Sequence, residues 1–303
     1  MKIKTRRYYL YYLACMGAFI VNILPLRFML TLAGFAGEAV FALLKKERQR
    51  TLDNLKRAFP EKTDAEIEKI GKAVFSNICK NGIEFISIRK LTTKTLDGWV
   101  KSEGAYEKID RILEKGKGVI MLASHFGNWE LISAYFTLRG YKGTVIARRI
   151  YFGKYDAFIN RLRSYVGVGV IYRDDSPKKI LRILKRNEML GILADQDMDS
   201  VDGIFVDFFG RPAYTPKAPV AIALASKAPL VPCFMVREGS RHRLIVEDPM
   251  ELEENGTREE TIVFNTQKWS RIVESRIRRH PEQWVWMHKR WKTKPPVEKT
   301  GNQ

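Results

Sequence analysis

Cysteine is scarce in this chain: its 303 residues contain three, Cys15, Cys79 and Cys233. Being odd in number and far apart, they give no disulfide framework and no zinc-ligand spacing, which favours a reducing compartment. Acidic side chains are in deficit too, with 34 Asp and Glu against 53 Lys and Arg, a net charge of +19. There is no internal repeat and no low-complexity linker. No Gly-x-Ser-x-Gly elbow and no Walker loop occur, which argues against a covalent serine hydrolase or a P-loop enzyme. Gly167-Val-Gly169 lacks the rest of a dinucleotide fingerprint and reads as a loop. Asp195 and Asp197 stand without a further ligand set, so neither a metal nor a redox cofactor is expected.

The excess of positive charge favours polyanionic partners: nucleic acid, anionic lipid headgroups, phosphorylated substrates or an acidic carrier protein. With 45% hydrophobic and 29% charged residues the chain is globular rather than disordered. Its length suffices for one large core with accessory elements.

One stretch organises the rest, Gly118-Val-Ile-Met-Leu-Ala-Ser-His-Phe-Gly-Asn-Trp-Glu130. The apolar run from Val119 to Ala123 has the look of a buried parallel strand. Asn128 reads as the N-cap of a helix with Leu131, Tyr135 and Leu138 on one face and Gly140 as its stop. His125 then sits at a strand end, where open α/β sheets bind ligands. Glu130, in the first helical turn, is placed to orient the imidazole and keep it basic. The spacing recurs in His242-x4-Glu247, but within an alternating run that reads as a strand. Residues five apart there point to opposite faces, roughly 16 Å apart, and cannot act together.

Residues 8 to 26 carry no charge and follow Lys2, Lys4, Arg6 and Arg7. As a helix they would span about 28 Å, close to a bilayer's hydrocarbon core. A signal peptide and a buried core helix are the competing readings. A weaker apolar stretch runs from Phe28 to Leu44, and Lys45, Lys46, Arg48 and Arg50 follow it. Basic clusters on both sides fit a re-entrant or interfacial arrangement better than a single span. The expected organisation is a membrane-associated segment at 1–44, then a catalytic remainder at 45–303, helical over 45–115 and α/β over 116–303. Strand and helix patterns alternate through that last part, which implies a largely parallel sheet covered by helices. Polar residues end two further strands: Arg148 and Arg149, then Asp195, Gln196 and Asp197. An arginine there can hold a phosphate or an oxyanion, and the aspartates can position a substrate or pair with the arginines.

His125-Phe-Gly-Asn-Trp-Glu130, Ala147-Arg-Arg149, Leu193-Ala-Asp-Gln-Asp197, Phe208-Phe-Gly210 and Thr215-Pro216 come in the order and rough spacing of one family. With Arg48…Asn54-Leu…Phe59-Pro60, the chain resembles a late acyltransferase of lipid A biosynthesis, in the glycerolipid acyltransferase-like superfamily. The resemblance implies transfer of a fatty acyl chain from acyl carrier protein to a hydroxyacyl group of a phosphorylated glycolipid, at the cytoplasmic face of the inner membrane. It implies His125 and Glu130 as the catalytic pair. Arg148, Arg149, Asp195, Gln196, Asp197, Gly210 and Thr215 would bind substrate. The start of the Asn128 helix and an arginine would stabilise the oxyanion. The basic surface would meet the carrier, the lipid phosphates and the anionic membrane. Tyr151-Phe-Gly153 and Val206-Asp207 depart from the family's Asn-Asn-Pro-like and Val-Pro runs, which bears on substrate identity. An acyl-coenzyme A-dependent enzyme with another glycolipid or a lysophospholipid as acceptor is the alternative. A non-catalytic basic module binding nucleic acid does not account for polar clusters at three strand ends.

Overall fold

The computed structural model describes residues 6–198 and 200–296. Lys2 and Lys4 of the first basic cluster lie outside the described residues. The chain begins with α1 (Arg6–Ile23), α2 (Leu26–Leu43), α3 (Lys45–Ala58), α4 (Asp64–Ile86) and the short α5 (Leu96–Trp99). Then follow β1 (Val100–Ser102), α6 (Ala105–Leu113), β2 (Val119–Ala123), α7 (Glu130–Leu138), β3 (Gly143–Ala147), α8 (Gly153–Ser164) and β4 (Gly169–Tyr172). Next come α9 (Pro177–Lys185), β5 (Met189–Leu193), β6 (Gly203–Phe208), β7 (Arg211–Pro216) and α10 (Ala218–Ser226). The last elements are β8 (Leu230–Glu238), β9 (Arg241–Val246) and α11 (Arg258–Arg279).

Seven strands form one sheet in the order β1-β9-β8-β2-β5-β3-β4. All neighbours are parallel except the β8–β9 hairpin. The fold is therefore α/β with a largely parallel sheet. Strand β2 lies near its centre and buries all five residues. Val119, Met121 and Ala123 enter the core on one face, Ile120 and Leu122 the core on the other. That alternation with period two explains why a central strand reads as an unbroken apolar run.

Helix ends follow their sequence signals. Thr63 and Thr257 each accept from the backbone three residues on while Glu66 and Glu260 return the bond, so α4 and α11 both open on a capping box. Ser176 caps α9, with Pro177 in its first turn. One expectation changes. Residues 45–115 are not wholly helical, since Val100–Ser102 pairs beside β9. Pro216 closes β7, so α10 starts at Ala218. The β6–β7 hairpin turns on Phe209 and Gly210, both at positive φ (56° and 70°). A two-residue turn of that hand favours glycine, and an aromatic there costs about 1–3 kcal/mol. Phe209 is held in place by edge-on contacts with Phe59 and Trp286 and by Arg278 4.6 Å over its ring.

At the N-terminus, Pro25 divides the apolar region. Among the described helices it is α2, rather than the stretch before it, that is long and apolar enough to cross a membrane. Leu30, Ala33, Gly37 and Phe41 are its buried residues, at helical spacing. Gly37 allows close approach to α4, since a Cβ there would lie 2.4 Å from the Ser76 Cα. Tyr9, Phe19, Ile23, Phe35 and Leu43 on α1 and α2 are each at least 66% exposed.

Beneath the central loop lies a buried polar cluster. Glu84 accepts two bonds from Arg237 (2.8 and 2.6 Å), one from His242 Nε2 (2.9 Å) and one from Asn128 Nδ2 (2.8 Å). Burial alone would raise the Glu84 pKa, but the bond from His242 and the Arg237 guanidinium outweigh it and hold it at about 2. Burial also lowers the His242 pKa, so the neutral ring donates from Nε2. Glu247 pairs instead with Arg276, so the His242 and Glu247 side chains part as expected of a strand.

Both groups bind protons more weakly folded than unfolded, so stability present at neutral pH is lost on acidification. The His242 contribution should fade below about pH 6.5 and that of Glu84 from about pH 4.5 towards 2. The Glu84 part is worth roughly 3 kcal/mol. Thermal denaturation against pH should show this decline. Glu84→Gln should lower the neutral-pH Tm and flatten the profile below pH 4.5; an unchanged profile would remove the assignment.

Candidate active site

The loop after β2 is fixed by backbone geometry. Gly127 has φ +56°, and a Cβ there would lie 1.6 Å from the Met235 carbonyl oxygen, so no side chain fits. Its N–H donates to the Gln283 carbonyl (2.9 Å) and its carbonyl accepts from Asn81 Nδ2 (2.6 Å). Phe126 bridges to Trp284, and the Val285 N–H donates to the His125 carbonyl (3.3 Å). His125 is thus presented on a clamped backbone.

Strands β2 and β5 run parallel with Ala123 opposite Leu193. Two residues beyond that register come His125 and Asp195. The His125 Nδ1 lies 2.7 Å from Asp195 Oδ1, while Asp195 Oδ2 accepts from the His125 backbone N–H (2.8 Å) and from Trp284 Nε1 (2.7 Å). Asp195 is buried; burial would raise its pKa, but the charge and hydrogen bonds of His125, joined by the bond from Trp284, keep it below the ordinary value. A carboxylate against Nδ1 places the ring proton there and leaves the Nε2 lone pair free to accept one. The ring is packed edge-on by Trp129 (5.0 Å between centroids) and tilted against His288 (5.6 Å).

His288 was not anticipated. Burial, with the neighbouring charge of His125, lowers its pKa to about 4. At neutral pH it is uncharged, and its Nε2 accepts from the Gln196 side-chain amide (2.6 Å). It lies in the aromatic tail from Trp284 to Trp291, of which Trp284, Trp286 and Trp291 are buried.

Glu130 does not meet His125. Arg163 of α8 grips its carboxylate at both oxygens (Nε–Oε2 3.0 Å, Nη2–Oε1 2.6 Å). The carboxylate on the imidazole is Asp195, and α7 begins at Glu130, one residue later than an Asn128 cap would start it. Asn128, expected as the cap, spends its side chain on Glu84 instead. Arg148 lines the cleft in front of His125, whereas Arg149 turns outward over the Tyr172 ring (3.8 Å) near Asp174 (3.9 Å). Asp197 also lines the cleft; rather than pairing with the arginines, it accepts from the Thr293 N–H and hydroxyl, both at 2.7 Å. Gly210 is at the β6–β7 turn and Thr215 is buried, accepting from Arg290 Nη2 (2.6 Å), so neither lines the cleft.

The cleft has a volume of about 670 Å³ and joins polar groups at His125, Arg148, Arg173 and Gln196 to apolar ones such as Ile146, Ile159 and Ile222. Trp129, Glu130, Arg163, Ile192 and Leu193 also wall a smaller apolar cavity of about 70 Å³ between the sheet and α7. Met121, Phe136, Met189 and Cys233 line its depth. Burial raises the Cys233 pKa, so that thiol stays protonated.

Such a site, a histidine with a buried carboxylate at parallel strand ends and an apolar recess beside it, has the chemistry of an acyl-transferring α/β enzyme. The model of the bacterial lipid A biosynthesis acyltransferase family matches residues 1–293, and the chain belongs to that family. It is therefore an O-acyltransferase of lipid A biosynthesis. Lipid A biosynthesis myristoyltransferase of Escherichia coli (strain K12) is 27% identical over 271 residues, 88% of this chain and 80% of that one. The lauroyltransferase of the same organism is 25% identical over 296 residues, 95% and 93% of the two chains. A phosphatidylinositol mannoside acyltransferase of Mycobacterium tuberculosis (strain ATCC 25618 / H37Rv) is 27% identical over 141 residues, 45% and 44%.

The geometry gives His125 a different carboxylate from the one its local sequence offers. In ¹⁵N spectra of the imidazole, Asp195→Asn should shift the ring proton away from Nδ1. Glu130→Gln should leave the tautomer as it is. The reverse outcome would assign the orienting role to Glu130.

Proposed function

We propose that the cleft transfers a fatty acyl chain directly from acyl carrier protein to a hydroxyacyl group of a lipid A precursor, with His125 as general base. The observation that carries this reading is the 2.7 Å contact between His125 Nδ1 and a buried Asp195 held by two further donors. His125 Nε2 removes the proton from the acceptor hydroxyl as its oxygen attacks the thioester carbon. The tetrahedral oxyanion meets Arg148 at the cleft wall. When the C–S bond breaks, the departing thiolate takes the proton back from His125, so the enzyme ends as it began. Asp195 remains ionised throughout and stabilises the transient imidazolium. Glu130, locked by Arg163, positions the wall between cleft and cavity, and Asp197 and Gln196 hold the segment that bears His288 and Thr293. Gly210 and Thr215 support the fold around the site rather than touching substrate.

The apolar cavity is where the acyl chain would end, and this gives a specificity test. A Cβ on Gly191 would lie 3.0 Å from Val145 Cγ1 inside that cavity. Gly191→Val should cut turnover of the preferred chain about tenfold more than that of a chain a few carbons shorter, each lost methylene contact being worth roughly 1–3 kcal/mol. Equal loss for all lengths would place the chain elsewhere.

The anchor reading assigns residues 1–44 to membrane attachment and 45–303 to catalysis, with the bulk on the cytoplasmic face of the inner membrane. The exposed side chains of Phe19, Ile23, Phe35 and Leu43 support lipid contact. Because Leu30 and Phe41 of α2 are buried, the cleaner test replaces exposed residues only. Serine at Phe19, Ile23 and Phe35 should move the protein towards the soluble fraction without lowering its Tm. Protease added to intact spheroplasts should spare the catalytic part.

His125→Ala should lower kcat by about 10²–10⁴-fold. Asp195→Asn should also lower it strongly, and the double variant should lose far less than the product of the two. An active His125→Ala enzyme would sink the mechanism. The match to a mannoside acyltransferase keeps a second reading open, acyl-coenzyme A as donor and another glycolipid as acceptor. Competition between the two thioesters on purified enzyme separates them.

A further inference from the structure

A second concave surface lies behind the site. Lys46, Gln49, Arg50, Asp53, Asn54 and Arg57, on one face of α3, form one wall of a groove of about 560 Å³. Lys289, Trp291 and Lys292 form the other. From Lys46 to Arg57 the helix rises about 16 Å. Lys46, Arg57 and Lys289 are exposed, and none makes a salt bridge among the described residues.

The groove is tied to the chemistry. Asn54 Nδ2 donates to the Trp286 and His288 carbonyls (both 2.8 Å), and Arg50 Nη1 donates to the Met287 carbonyl (3.1 Å). Lys289 is the neighbour of His288, which packs on His125, and the Arg50 charge helps lower the His288 pKa. A partner seated in the groove is therefore held one residue from the catalytic cleft.

We infer that this groove docks an acidic helix of the carrier protein that brings the acyl thioester, an inference that rests on the donor reading above. Two features favour a helix over a single phosphate group. The cations are strung along some three helical turns of α3 rather than converging on a point, and Lys289 and Lys292 face them from the second wall. For an acceptor phosphate the cleft itself offers a separate cation, Arg173. Docking of this kind accelerates encounter and is screened over about 8 Å at physiological salt.

The test is steady-state kinetics of the full-length K46E/R57E/K289E enzyme with two donors of the same chain length, acyl carrier protein thioester and acyl-pantetheine. KM for the carrier thioester should rise about tenfold or more, while kcat and the KM for acyl-pantetheine stay within about twofold of wild type. Added salt should raise the carrier KM of the wild type more than that of the variant. Lysine in place of acids on the carrier helix should restore affinity for the variant. An unchanged carrier KM would overturn the groove alone, as would an equal loss with both donors. A rise confined to the KM of the glycolipid acceptor, or a matching loss of binding to anionic vesicles, would reassign the groove to lipid. A wild-type enzyme that turns over acyl-coenzyme A but no carrier thioester would instead overturn the donor reading.

Discussion

The structure hangs on one buried carboxylate. Asp195 sits among apolar residues at the end of β5, where an unpaired charge would be costly. Three donors make its ionised form the favourable one: the His125 ring, the His125 backbone N–H and the Trp284 indole. Each donor comes from a different requirement of the fold. The ring is supplied by the strand next door, the backbone N–H by the loop's turn, and the indole by the C-terminal segment. Removing any one leaves the anion under-satisfied, so the parts are held to a common geometry. A carboxylate restrained in this way reorganises little as the imidazole gains and loses charge, which is what electrostatic preorganisation requires.

The Glu84 cluster restrains the same loop from the other side. Asn128 reaches down to Glu84, and Asn81, which accepts from Arg237, donates to the Gly127 carbonyl. Gln283 exchanges hydrogen bonds with the Arg237 backbone (2.8 and 3.0 Å) while its own carbonyl receives the Gly127 N–H. Buried ion pairs contribute little net stability compared with apolar packing. What this one does supply is position. It holds Gly127 against Met235, the contact that leaves no room for a side chain. His242 belongs to this support rather than to the chemistry, so a substitution there acts through folding and loop placement.

Much of this was legible in the sequence, and the limits have a physical pattern. The strand ending at His125, the parallel alternation and the divergence of His242 from Glu247 all follow from local periodicity and turn chemistry. The partner of His125 does not. Glu130 is near in sequence, whereas Asp195 is brought in by the pairing of β2 with β5, a contact spanning 70 residues. Local spacing cannot rank a residue five positions away against one on an adjacent strand when strand order is unknown. Gly210 and Thr215 lie outside the cleft lining for a related reason: the β6–β7 pairing puts Gly210 at its turn, and Arg290 claims Thr215 from a distant segment. His288 lies in an aromatic tail whose destination beside His125 is set by tertiary packing alone.

The ion pair of Glu130 and Arg163 shows how a polar wall can serve an apolar site. Both side chains are largely shielded, at 14% and 15% exposure, yet they line the recess beside Ile192 and Leu193. Burial would lower the Arg163 pKa, but the Glu130 carboxylate outweighs it and raises it, so the guanidinium stays charged. With each charge neutralised by a bidentate partner, neither presents a free charge to a hydrocarbon chain passing beside it. The same fork fixes α7 against α8 and so fixes the distance between Trp129, which packs on His125, and the mouth of the recess. In the proposed reaction an acyl thioester must place its polar carbonyl at His125 and its chain in the apolar cavity. A rigid, internally neutralised ion pair at the boundary lets the two environments meet within a few side chains, without an unpaired charge at their junction.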